Sequence, residues 1–222
     1  MTPPALINGT NGRHQNGTSR DTKQKTSRFM DPDNRDKAME HVRGLLGFIG
    51  EDVTREGLAD TPRRVVDAMK DHFAGYEVDP ETYLHRTFSE VEGYNELVLV
   101  SDIELHSHCE HHMVPFVGRA HVAYIPDGKV VGLSKIARVI EGYSKRLQVQ
   151  EKLTAQIANA IWGTLKPQGV AVILQCQHFC MCYRGVKKPG SWTTTSKLQG
   201  CFLDDEASRM ELLTLIGMDR RI

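Results

Sequence analysis

The sequence has no excess of charge of either sign: 28 basic residues stand against 28 acidic ones. That balance supplies no overall field to recruit nucleic acid or an anionic membrane, so any anion must be met by a local cluster. No apolar run is long enough to span a bilayer, and the first thirty residues lack the apolar segment of a secretory signal. Cysteine is scarce, five in 222 residues. An odd number grouped with histidines fits a reducing compartment rather than a disulfide framework. The cytosol is the expected location, and neither nucleic acid nor membrane is an expected partner.

What remains is a domain-sized chain able to bury a core without covalent staples. Residues 1–30 are polar, with almost no apolar residue after Ile7, and read as a disordered tail. Residues 31–95 read as a helical region. Asp31-Pro32 is an N-cap followed by proline at the first helical position, with Ala38, Val42, Leu45 and Ile49 at helical spacing. Thr61-Pro62 opens a second helix in the same style, carrying Val65, Val66, Met69 and Phe73. Both helices are amphipathic and need a surface to cover.

Residues 96–222 form the third unit. Strands are expected over 96–105 and 117–125, helices from Ser134 and around 149–161, strands over 169–186 and 193–202, and a closing helix over 204–216. In that last helix Met210, Leu213 and Ile216 recur every three residues. The order predicts an α+β fold with helices on one face of an antiparallel four-stranded sheet. Its two open edges predict subunits pairing edge to edge into a ring.

Chemistry concentrates in Ser107-His108-Cys109-Glu110-His111-His112, closed by Met113, Val114, Pro115 and Phe116. Cys109 and His112 are three apart, so one tight turn can aim both at a single ion, leaving His111 free for chemistry. Thiolate and imidazole are zinc ligands, and a catalytic zinc keeps one position for water beside three protein ligands. The third must come from elsewhere. Cys176, His178, Cys180 and Cys182 alternate in one segment, about 6.7 Å between successive members if it is a strand. Two sulfurs on one zinc sit about 3.8 Å apart, so a regular strand offers one of Cys180 and Cys182, not both. Cys176 and Cys201 read as small buried core residues.

Two further clusters suit an anionic purine. Gly132-Leu133-Ser134-Lys135-Ile136-Ala137-Arg138 reads as a serine-capped helix start with Lys135 and Arg138 one turn apart, fitted to phosphate. Arg184, Lys187 and Lys188 add positive charge, which makes a triphosphate a reasonable ligand. Glu151, near a helix start, can accept two hydrogen bonds from a guanine-like N–H edge, with Gln150 reading neighbouring atoms. On spacing alone, Glu151 reads as an exposed or i,i+4-paired surface glutamate.

CEHH followed by proline, then HVAYIP, GLSKIARV, RLQVQEKLTAQIA and HFCMCYRGV, in that order, resemble GTP cyclohydrolase I. The likeness runs from about Asp60 to about Ile216. It implies the tunnelling fold, a toroidal homodecamer of two pentamers with active sites between subunits, and conversion of GTP and water to 7,8-dihydroneopterin triphosphate and formate. It implies zinc on Cys109, His112 and Cys180, and catalytic roles for His111 and His178. It further implies guanine binding by Glu151 with Gln150, and phosphate binding by Ser134, Lys135, Arg138 and Arg184, joined by Arg64. His108, Gln175, Cys176 and Cys182-Tyr183 depart from the expected residues without removing a ligand. Two other readings compete: a structural zinc module with four protein ligands, and a tunnelling-fold purine or pterin enzyme with a changed reaction. A zinc deaminase would need H-x-E followed by P-C-x-x-C, which the chain lacks.

Overall fold

The computed structural model describes residues 30–89 and 91–218. The expected polar tail falls almost entirely outside them. The mixed helix-and-sheet architecture is present. In chain order the elements are α1 (Arg35–Phe48), α2 (Glu56–Ala59), α3 (Thr61–Phe73), β1 (Thr87–Phe88), β2 (Val98–Cys109), β3 (Pro115–Ile125), β4 (Val130–Val131), α4 (Leu133–Ser144), β5 (Leu147–Gln148), α5 (Gln150–Leu165), β6 (Gly169–His178), α6 (Phe179–Cys182), β7 (Thr193–Gly200), α7 (Cys201–Asp204) and α8 (Glu206–Met218). Among the described residues no helix is long and apolar enough to cross a membrane.

The main sheet runs β5-β2-β3-β6-β7. The four long strands are antiparallel, as expected, and two-residue β5 extends the sheet in parallel along β2. Period-2 alternation sends Phe116, Ala120, Val122 and Tyr124 of β3, with Val170, Val172, Leu174 and Cys176 of β6, into one core with Ile136, Val139 and Ile140 of α4 and Leu153, Ile157 and Ile161 of α5. The opposite face takes Ala123, Ala171 and Ile173 against Phe202, Leu212 and Ile216. Gly118 is required where β3 meets β6, because a Cβ there would run into the backbone carbonyl of Gln175.

Several expectations need correction. β2 continues through Cys109, so the cysteine sits on the strand end and only the residues after it turn. Strand β6 stops at His178, and the chain winds into the single turn α6 where a strand to 186 was expected. Ser134 is not a cap: α4 begins at Leu133, with Gly132 at the N-cap and no side-chain bond to the free N–H groups. In α8, Leu212 and Ile216 face the sheet while Met210 and Leu213 are exposed. The i, i+4 pair follows the helix's own 3.6-residue turn, which a spacing of three drifts away from.

The N-terminal region packs α1 on α3, yet α1 has no buried residue, and Leu45, Phe48 and Ile49 stand in the open. Arg146 ties this region to the sheet domain. Its Nε donates to Gly75 O at 2.8 Å and its Nη2 to Val78 O at 3.0 Å. The guanidinium also lies 5.1 Å from the Tyr143 ring and 5.9 Å from that of Tyr76.

Candidate metal centre

Backbone bonds on both flanks hold Cys109. Its N–H donates to Val114 O at 2.9 Å, and the N–H of Met113 returns to Cys109 O at 2.8 Å, closing a tight turn. On the other side Cys109 pairs with Gln148 of β5, and the Glu110 N–H donates to Gln148 O at 3.0 Å. Met113 adopts φ 54° to return the chain into β3. There Phe116 pairs with His178 across the β3–β6 ladder, which brings the end of β6 beside the turn.

Winding of the chain at Phe179 distinguishes the two late cysteines. Cys180 faces the turn, and one ligand atom each from Cys109, His112 and Cys180 lies within 4.8 Å of the others. Among the described residues no other group of three or more His, Cys, Asp or Glu side chains comes together so closely. The Cys182 sulfur is directed instead at the carbonyls of Lys188 and Pro189, at 3.9 and 4.0 Å. A four-ligand structural site is therefore not favoured.

The donor set fits zinc, which takes thiolate and imidazole. Burial pushes the Cys180 thiol up, and the adjacent Cys109 sulfur adds to the effect. A cysteine ligand must give up its proton to bind a metal, so metal binding and proton release are linked. Cys109 is buried, Cys180 half-buried and His112 exposed, which leaves the His112 side of the group facing outward. Arg184 Nη1 donates to His112 Nε2 at 3.1 Å.

The histidines expected to move protons flank this group. His111 is exposed, its Nδ1 3.8 Å from the Cys109 sulfur and its ring edge-on to His112. His178 Nε2 lies 2.7 Å from Gln150 Oε1. Burial draws the His178 pKa below its ordinary value, and the Glu151 carboxylate opposes that. Glu151 is exposed on the first turn of α5, next to Lys152, which pairs with Glu110 at 3.5 Å.

The remaining predicted residues lie on α4 and α3. Ser134, Lys135 and Arg138 occupy the first turns of α4, with the Arg138 guanidinium 6.0 Å from the Tyr83 ring. Arg64 is on α3, paired with Asp60 at 3.6 Å. His108 packs against His72 and Phe73, ring centroids 4.7 and 5.1 Å away, and contributes nothing to the ligand group.

Sequence reasoning missed the support around His178. Phe116 stacks on its ring, and Thr154 and Thr195 brace Gln150. Alternation along β7 places Thr193 and Thr195 on one face, but nothing in the sequence links that face to α5.

A family model described as GTP cyclohydrolase I matches residues 38–217. A protein of Sinorhizobium fredii named GTP cyclohydrolase 1 is 53% identical, over 81% of this chain and 88% of its own length. One of the same name from Brucella anthropi is 55% identical over 78% of this chain and 82% of its own. A crystal structure of the archaeosine synthase QueF-Like in the apo form covers 47% of this chain and 93% of that chain at 18% identity with a TM-score of 0.40, too low to bear on the fold. With its match running from α1 to α8, the chain belongs to the GTP cyclohydrolase I family.

Proposed function

We propose that this chain opens the imidazole ring of GTP with water to give 7,8-dihydroneopterin triphosphate and formate, the entry step of folate and pterin synthesis. The observation that carries this reading is the convergence of Cys109, His112 and Cys180 in a member of the GTP cyclohydrolase I family. These three residues would hold zinc, which supplies Lewis acidity able to activate water at neutral pH.

The chain's own groups do the rest. Addition of a water oxygen to C8 across the C8=N7 bond puts the electron pair on N7, and His178, with His111 beside the ligand group, delivers the proton there so that the ring opens. Glu151 accepts from the N1–H and exocyclic N–H of guanine, which fixes the base. Lys135, Arg138 and Arg184, with Ser134 and Arg64, hold the triphosphate. A ring-opened intermediate must stay bound until it recloses, and tethering at both ends serves that need.

Residues 96–222 form the catalytic unit in this reading and 31–95 a helical flank. The fold is the tunnelling fold, and the active form is a homodecamer built from pentameric rings in the cytosol. Uncovered Leu45 and Phe48 on α1, with Ile49 just after it, support an assembly that buries them. Incubating the zinc-loaded protein with GTP tests the activity. Formate and a pterin that fluoresces on oxidation are expected together, and neither appearing would overturn the reading.

A further inference from the structure

Behind His178 runs a hydrogen-bond chain whose direction can be assigned. Gln150 is buried at the start of α5, and one end of its amide lies 3.2 Å from Leu174 O, 3.0 Å from Thr193 O and 3.0 Å from Thr195 Oγ1. Backbone carbonyls only accept, so the end facing them is the NH2 group. The amide oxygen therefore faces His178 Nε2, 2.7 Å away. An amide oxygen also only accepts, so Nε2 carries a hydrogen whether the ring is neutral or charged.

The far end of the chain is directed by the same reasoning. Thr154 Oγ1 lies 2.7 Å from the Gln150 backbone carbonyl, which takes its one hydroxyl hydrogen. The 2.6 Å contact between the two threonine hydroxyls must then be donated by Thr195. Thr195 Oγ1 is left as an acceptor for the Gln150 amide, whose two hydrogens it shares with the carbonyls of Leu174 and Thr193. Hydrogens thus point from His178 to Gln150, Gln150 to Thr195, Thr195 to Thr154, and Thr154 to the backbone of α5. Phe116, flat against the imidazole, holds the ring plane in which this chain can form.

We infer that Gln150, braced by Thr195 and Thr154, is a positioning residue that commits His178 Nε2 to donation and leaves Nδ1 as the atom exchanging protons with substrate. The inference rests on His178 being the proton carrier proposed above. It reassigns the Gln150 side chain, whose amide oxygen and nitrogen are both engaged inside the protein, and leaves recognition of the guanine edge to Glu151.

Thr195→Val keeps the side-chain shape and removes the hydroxyl, whereas Thr195→Ser keeps the hydroxyl. In the zinc-loaded full chain, Thr195→Val should lower kcat roughly tenfold, a fraction of the roughly 10²–10⁴-fold that a positioned acid–base group contributes. KM for GTP and zinc content should be unchanged, and Thr195→Ser should restore kcat. An unaltered kcat, or a raised KM with kcat intact, overturns the assignment. Should Thr195→Val not fold, nitrogen NMR of histidine-labelled unmutated holoenzyme decides, with His178 assigned by comparison with His178→Gln. Hydrogen on Nε2 supports the proposal, and a bare Nε2 overturns it. His178→Gln turning over normally would instead sink the proton-carrier reading, so the two failures are distinguishable.

Discussion

Phe116 lies flat against His178, ring centroids 4.6 Å apart and planes 12° from parallel. Phe116 is fully buried, so the same side chain serves the core and the site. Phe116→Leu should cost about 1 kcal/mol of stability, since volume is nearly kept, while slowing formate release because the flat face is gone. Phe116→Ala should cost about 3–5 kcal/mol. Thermal unfolding and a formate assay on both variants separate the two roles; equal loss of rate and stability across the pair would assign Phe116 to packing alone.

Cys180 and Cys182 are two residues apart, yet one faces Cys109 and the other faces carbonyls beyond α6. Cys180→Ser should therefore lose bound zinc and formate release together, whereas Cys182→Ser should keep stoichiometric metal. Metal analysis after gel filtration checks both. Zinc lost equally from the two variants would mean that the strand-end turn does not sort the sulfurs.

That sorting marks the limit of what was legible in the sequence. Cys109 and His112 could be read as a pair because three residues of separation suit one turn, and the long strands and helices followed from their apolar periods. On spacing alone the choice between Cys180 and Cys182 turned on where β6 stops: residues two apart share a face of a strand but point to nearly opposite sides of a helical turn. Ser134 looked like a cap because serine commonly is one, yet the helix starts a residue earlier and the loop supplies glycine instead. The brace behind His178 joins α5 to β7 across more than forty positions, and residue spacing carries no trace of such a contact.

Arg146 donates to two carbonyls of the segment that leaves α3 while resting on two tyrosine rings. Lysine keeps the charge but has neither the planar fork nor the stacking face. Arg146→Lys should destabilise by about 2 kcal/mol, the worth of one charged hydrogen bond lost from a part-buried place. Chemical denaturation measures it. A variant as stable as the parent would show that Gly75 and Val78 are held by other contacts.

Alkaline conditions should destabilise the fold through Cys176 and Tyr143. Burial pushes the Cys176 thiol up to about 12 from 9.0. Burial, helped by Glu81, pushes Tyr143 up to about 12 from 10.0. Both pKa values are raised on folding, so the native chain keeps protons that the unfolded chain releases. The stabilisation is complete below about pH 8.5 and declines as pH rises through 9 toward 12. Cys176→Ala should flatten the fall in unfolding free energy across that window by about one proton, with reductant present throughout. An unchanged slope would mean that the thiol ionises as readily in the fold as outside it.

Glu151 stands exposed on the first turn of α5, one residue after buried Gln150, so the helix start divides the pair between surface and interior. A carboxylate there gains a little from the helix dipole, on the order of 0.3–1 kcal/mol, and it also favours the charged form of His178. Its removal should therefore act on substrate far more than on folding. Two charge-assisted hydrogen bonds to a guanine edge are worth enough that Glu151→Ala should raise KM for GTP at least about 100-fold. Glu151→Gln should do nearly as badly, because its NH2 would face the guanine N–H groups as donor against donor. Steady-state kinetics with GTP, alongside thermal unfolding, checks both: a large rise in KM with an unmoved melting temperature is the expected result. Unchanged KM in either variant would remove Glu151 from the binding site, and a collapse in stability would make it a structural residue instead.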